Sequence, residues 1–125
     1  MTNYPVGDFL IRIKNAALAR KKLVVVDKSR LLVAVAEALQ RMGYLDKVMA
    51  KDQKLEVGLT YKHKEPLLSN LKLVSRPGLR LYRRADFFEK YRGPESFLLS
   101  SPKGVISSKE AVKNRIGGEV IAEIL

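Results

Sequence analysis

Five residues with hydrogen-bonding or close-approach chemistry crowd into "SSPKGVIS" near the C-terminus: Ser100, Ser101, Lys103, Gly104 and Ser107. Upstream, Arg80, Tyr82 and Arg84 alternate along "LRLYRR", with Arg76 and Arg83 close by. Guanidinium groups grip phosphates through paired donors, and a tyrosine ring stacks on a base or sugar. Downstream, Gly117 and Gly118 precede Glu119, a carboxylate able to accept from a base amine or a ribose hydroxyl. Phosphate contacts supply affinity and position but little discrimination. Folded RNA is read through shape, splayed bases and 2′-hydroxyls, which call for short hydroxyl side chains and glycine backbone. Together the residues describe an RNA reader. Each piece also has a plainer reading: a solvated sheet face for the arginine stripe, an ordinary turn for Ser-Pro-Lys-Gly.

The charge supports the first reading. Lys and Arg number 24 against 13 Asp and Glu, a formal net charge of +11 in 125 residues, as expected of a partner for a polyanion. Residues 71–92 hold seven basic and two acidic residues, whereas residues 93–125 hold four of each. The neutral C-terminal quarter therefore reads as the discriminating part, and the basic remainder as the source of attraction. A second basic group, Arg12, Lys14 and Asn15 followed by "ARKKL" at 19–23, lies near the N-terminus. A DNA-binding or nucleoid-associated protein is the alternative. A duplex reader, however, wants a basic helix for the major groove, and here the densest charge surrounds a turn.

Catalysis finds no foothold. His63 is the single histidine and sits in a polar, Lys-rich stretch; cysteine is absent, so there is no thiol nucleophile and no thiolate metal site. No phosphate-binding "GxxxxGK" occurs. No cofactor and no metal are expected. No apolar run approaches the roughly 20 residues that span a bilayer. Residues 1–14 lack a secretory layout, with Asp8 ahead of any long apolar region. The chain reads as soluble, cytoplasmic and without a membrane partner.

The elements that must position these groups follow from periodicity. Val6, Phe9, Leu10, Ile13 and Ala17 predict a first helix over 5–20 behind Pro5, with Asp8 and Arg12 as an i,i+4 pair. "LVVV" at 23–26 predicts a strand. Ser29 caps a second helix with the stripe Leu32, Val35, Ala36, Leu39 and Met42, stopped at Gly43. Two strands follow, a weak one at 44–50 and the alternating "KLEVGLTY" at 54–61. "HKEP" at 63–66 reads as a loop and boundary, giving an N-terminal α-β-α-β-β subdomain over 1–64 and a mainly β subdomain over 65–125. In the second half, Leu71 and Leu73 mark a strand and "RPGL" at 76–79 a type II turn. Leu79 and Leu81 are then expected on one face with Arg80, Tyr82 and Arg84 on the other, and Asp86–Tyr91 as one helical turn. Strands at 97–101 and 104–107 lead into "SSKE", a capping box for a helix to about Ile116, and "EVIAEIL" closes as a strand. The expected class is mixed α+β, two small tightly packed subdomains.

"VSRPGLRLYRR" at 74–84, "LLSSPKGVIS" at 98–107 and "IGGEVIAEIL" at 116–125, preceded by "YPVGDFLIRIKNA" at 4–16, resemble in order the S-eight family of bacterial small-subunit ribosomal proteins. The resemblance runs nearly end to end. It implies two small α/β domains, the second mostly β, and no enzymatic activity. It implies early assembly onto the central domain of 16S rRNA, a monomer outside the ribosome, and other small-subunit ribosomal proteins as neighbours. For some members it also implies repression of their own operon mRNA. Carried over by motif, the rRNA contacts fall on Ser100, Ser101, Lys103 and Gly104, with Tyr82 and the Gly117–Gly118–Glu119 corner nearby, and on Arg12, Lys14 and Asn15. Three departures stand out. Ser-Ser-Pro replaces the usual Ser-Thr-Ser, so Pro102 removes a hydroxyl and an amide donor. Ser107–Ser108 replaces Thr-Asp at the helix start. Tyr4 and Ile11 replace an Asp and a polar residue in the first helix.

Overall fold

Pro5 opens α1 (Pro5–Leu18), where its missing N–H costs nothing and its fixed φ suits the first turn. In the computed structural model, which describes residues 4–125, the expected stripe Val6, Phe9, Leu10, Ile13 and Ala17 is buried. The helix stops two residues short of expectation, because Arg20 turns the chain at φ 56°. Asp8 and Arg12 do not pair; the Arg12 guanidinium instead reaches the Val25 carbonyl at 3.4 Å. β1 (Leu23–Asp27) leads to Ser29, whose hydroxyl accepts from the Leu32 N–H at 3.1 Å and caps α2 (Arg30–Arg41). β2 (Leu45–Lys51) and β3 (Lys54–Leu59) form a hairpin turned at Asp52, φ 56°. The antiparallel sheet runs β1-β3-β2. Alternation along β3 puts Leu55, Val57 and Leu59 in the core.

The 63–66 stretch is no open loop. β4 (Tyr61–Lys62) and β5 (Glu65–Pro66) pair around His63 and Lys64, both at positive φ, the backbone of a tight hairpin. This hairpin belongs to the first of two compact units, which extends to Asn70; the second is Leu71–Leu125.

The second unit contains β6 (Leu71–Leu73), β7 (Tyr82–Arg83), α3 (Ala85–Lys90), β8 (Ser96–Ser101), β9 (Gly104–Ser107), α4 (Ser108–Asn114) and β10 (Gly118–Ile124). Its antiparallel sheet runs β6-β10-β8-β9, and the short β7 pairs β10 at Gly118 and Glu119. Phe88, Phe97, Leu99, Ile106, Ala111 and Val120 form the core, with Val74, Tyr91, Val112 and Ile116 against it. Each large apolar side chain buried there contributes roughly 1.5–3 kcal/mol. Ser107 accepts from the Glu110 N–H at 3.2 Å and its own N–H donates to Glu110 at 3.0 Å, the predicted capping box.

Leu79 and Leu81 differ in exposure, Leu81 being half-buried. Leu79 is 64 % exposed. It ends the Arg76–Leu79 turn, where the two residues exchange backbone bonds of 3.0 and 2.9 Å, and so sits at a hairpin tip rather than over the core. Gly78 takes φ 85°, as a type II turn requires at that position. Among the described residues, no helix is long and apolar enough to cross a membrane.

Candidate nucleic-acid interface

Strand register draws three distant segments into one row. Tyr82 on β7 lies opposite Glu119 on β10, and Glu119 lies opposite Ser100 on β8. Directly opposed residues of an antiparallel sheet share a face. Leu99 and Val120, the neighbours of Ser100 and Glu119, point the other way into the core. The row thus presents a ring, a carboxylate and a hydroxyl on the side away from that core. Tyr82 is 64 % exposed. Arg80 joins the row from the side, its guanidinium donating to Glu119 at 3.1 Å.

Both glycines beside Glu119 answer to their own fold. A Cβ on Gly118 would fall well inside 3.0 Å of the Ser100 carbonyl oxygen, and one on Gly117 would lie 2.8 Å from the Arg84 Cα. They permit β10 to lie between β7 and β8, and thereby bring Tyr82 and Ser100 to either side of Glu119.

The hairpin tip Ser101-Pro102-Lys103-Gly104 joins β8 to β9. Neither Pro102 nor Lys103 has positive φ, and Gly104 takes φ 103°. This is the pattern of a type I turn followed by a left-handed glycine, for which Ser, Pro and Gly are favoured at these places. The Ser101 hydroxyl accepts from the Lys103 N–H at 3.1 Å and donates to the Gly104 carbonyl at 2.9 Å. It locks the turn from within. Ser100 and Lys103 are exposed, with Ser100 in the row and Lys103 at the tip. Ser107, read from the sequence among the contact residues, is 7 % exposed with its hydroxyl committed to the α4 cap, so it does not belong to the exposed surface.

Beyond Tyr82 a shallow groove is lined by Arg83, Arg84, Asp86, Arg115, Gly117 and Gly118. Three guanidinium-bearing residues face one carboxylate there. Arg83 also lies over the Phe87 ring at 5.0 Å, a cation–π contact that orients it. Arg115 went unremarked in the sequence. Its place follows from α4 ending in a left-handed residue at φ 55°, which turns the chain into Gly117 and Gly118. Ser75 was missed as well. It is fully buried, and its hydroxyl accepts from the Leu81 N–H at 2.8 Å, tying the two arms of the Arg76–Leu79 turn together. A serine directly before Arg-Pro-Gly was the available signal. Arg76 is exposed at the start of that turn.

Arg12, Lys14 and Asn15 lie on α1 of the first unit. Arg12 and Asn15 are exposed and Lys14 is half-buried.

Comparison with known proteins gives a consistent result. The family model described as ribosomal protein S8 matches residues 4–125. The small ribosomal subunit protein uS8 of Chloroflexus aggregans is 38 % identical over 129 residues, covering 98 % of this chain and 97 % of the relative. Its namesake in Albidiferax ferrireducens is 38 % identical over 125 residues, covering 96 % and 95 %, and that in Roseiflexus castenholzii 36 % over 128 residues, covering 98 % and 97 %. A sheet that joins the sequence motifs at 74–84, 98–107 and 116–125 into one surface, together with a family match across nearly the whole chain, makes this protein a member of the ribosomal protein S8 family.

Proposed function

We propose that the chain binds the central domain of 16S rRNA directly and helps assemble that part of the small subunit. Family membership makes it a structural ribosomal protein, not an enzyme, and a component of the cytoplasmic ribosome. The observation that carries the finer reading is the row Tyr82–Glu119–Ser100 beside the Lys103–Gly104 tip. Tyr82 offers a ring for stacking, Ser100 a hydroxyl and Glu119 an acceptor for base edges or 2′-hydroxyls. Lys103, Arg84, Arg76 and the groove arginines supply phosphate contacts. Gly104 permits close backbone approach, and Gly117 and Gly118 act by letting β10 carry Glu119 between Tyr82 and Ser100. Ser101 acts by holding the tip in shape.

Lys14 and Asn15 on α1 are proposed as a second, weaker RNA contact, together with Arg12 where that residue is released from Val25. Neighbouring small-subunit proteins are proposed partners, and the free protein is a monomer. A messenger segment of the same shape would fit the same surface, which is how repression of its own operon would arise. The DNA reading has less support, since the charge gathers at a hairpin and a groove rather than along a helix.

The test is co-sedimentation with small ribosomal subunits in moderate salt, followed by hydroxyl-radical footprinting of the bound RNA. Protection confined to the central domain of 16S rRNA is expected. Failure to sediment with the subunit, or protection of another rRNA domain, overturns the reading.

A further inference from the structure

β1 ends the first unit's sheet, and among the described residues no strand pairs with its outer edge. The Leu59 N–H donates to the Lys22 carbonyl at 2.9 Å, and the Lys28 N–H to the Gln53 carbonyl at 2.8 Å. Antiparallel pairs bond at every second residue. Val24 and Val26 therefore face β3, while the N–H and C=O groups of Leu23, Val25 and Asp27 point outward. Among the described residues, the one hydrogen bond reaching those outward backbone groups is that of Arg12 to Val25.

α1 runs beside this edge. Two pockets lie between them and meet at Arg12 and Val25. One has apolar walls from Phe9, Val26 and Leu32, the other from Ala16, Ala19 and Val24. The charges along the groove are unequal. Arg12, Lys21 and Lys28 stand against Asp8, because Asp27 is held by Lys54 at 2.5 Å.

We propose that this groove docks an extended, acidic segment of a partner protein, which adds to β1 as a fourth strand. The outward groups of Leu23, Val25 and Asp27 supply the ladder, and the two pockets receive side chains from one face of the added strand. The basic surplus selects acidic over basic segments, and Arg12 exchanges the Val25 carbonyl for a partner carboxylate. RNA has no row of alternating N–H and C=O groups to match a sheet edge, so a peptide fits better. The proposal leaves the main RNA surface, in the second unit, untouched, and it shares Arg12 and Asn15 with the weaker RNA contact proposed on α1.

The test is an NMR titration of the full chain with a blocked octapeptide of alternating glutamate and valine. Two controls are the same peptide with lysine for glutamate, and the glutamate–valine peptide N-methylated throughout. Saturable shifts at Leu23, Val25 and Asp27 and on the facing turns of α1 are expected, with both controls about tenfold weaker or worse. Val25→Pro removes one outward donor at an edge position where proline is tolerated. It should weaken the peptide by about tenfold while leaving rRNA-hairpin binding unchanged. No binding, equal binding of the lysine peptide, or undiminished binding of the N-methylated peptide overturns the proposal. So does protection of the Leu23 and Val25 amides by the hairpin, which would assign the groove to RNA. The peptide controls decide the matter even if Val25→Pro does not fold.

Discussion

The Arg80 guanidinium covers the Glu119 carboxylate across 3.1 Å, on a surface otherwise rich in positive charge. Glu119 keeps only 19 % of its side chain exposed, against 44 % for Arg80. Arg80 therefore does two things: it offers positive charge to phosphates and neutralises an acid that would repel them. Arg80→Ala should weaken binding to every RNA by about 1–2 kcal/mol, the scale of a charged hydrogen bond plus an exposed like charge. Adding Glu119→Gln to that variant should recover part of the loss. Filter binding of the single and double variants at one salt concentration measures the coupling, and strictly additive losses would show there is none.

Gly118→Ala should destabilise the protein by about 2–3 kcal/mol or more, since its methyl would meet the backbone of β8 with no flexible side chain to yield. Gly104→Ala meets nothing within 4 Å and carries only the strain of φ 103°, about 1–2 kcal/mol. Urea unfolding of the two variants gives the order. A Gly104 variant less stable than the Gly118 variant would contradict this account of β10.

Ser100→Ala and Ser101→Ala should separate contact from support. Ser100→Ala should cost about 1 kcal/mol of binding to the cognate hairpin and leave the tip as rigid as before. Ser101→Ala removes both bonds that close the turn, so hydrogen exchange at the Lys103 amide should quicken in the free protein. Pro102→Ser should quicken it less, because the serine bonds remain and only the fixed φ is lost. Unchanged exchange in Ser101→Ala would remove its supporting role.

Local chemistry was legible in the sequence, and long-range register was not. The Ser107–Glu110 capping box, the Pro77–Gly78 turn and the alternation of Leu55, Val57 and Leu59 each depend on residues a few positions apart. Tyr82, Glu119 and Ser100 were singled out by residue type, but their meeting in one row depends on β10 lying between β7 and β8. Nothing in either strand alone declares that order. Two hydroxyl residues singled out as RNA contacts have structural uses: the fold employs Ser101 to lock a turn and Ser107 to cap a helix. Arg12 looked like the partner of Asp8, yet the edge of β1 offered it a carbonyl.

Tyr91 donates to Glu95 at 2.6 Å, which pushes the phenol up to about 12 and holds the carboxyl below its ordinary value of 4.5. For Tyr91 the hydrogen bond to Glu95 is the main cause, with desolvation next. A depressed carboxyl stabilises the fold above its unfolded pKa and loses that effect as pH falls through the folded value. The stability difference between the protein and Tyr91→Phe should therefore be full near neutrality and shrink below pH 4.5. Phenolate absorbance should show one tyrosine titrating near 12 that is absent from Tyr91→Phe. A difference in stability that grows on acidification would contradict the pairing.

If the second unit reads the shape of folded RNA, a comparative titration will separate shape from charge. A labelled irregular hairpin from the central domain of 16S rRNA and a regular RNA duplex of equal length are each titrated with the protein over a series of salt concentrations. Saturable 1:1 binding to the hairpin is expected, about tenfold or more tighter than to the duplex, with affinity falling for both because rising salt lowers the entropy gained when binding releases counterions. Equal affinity for hairpin and duplex at every salt concentration would reduce the interaction to charge alone and contradict the shape reading.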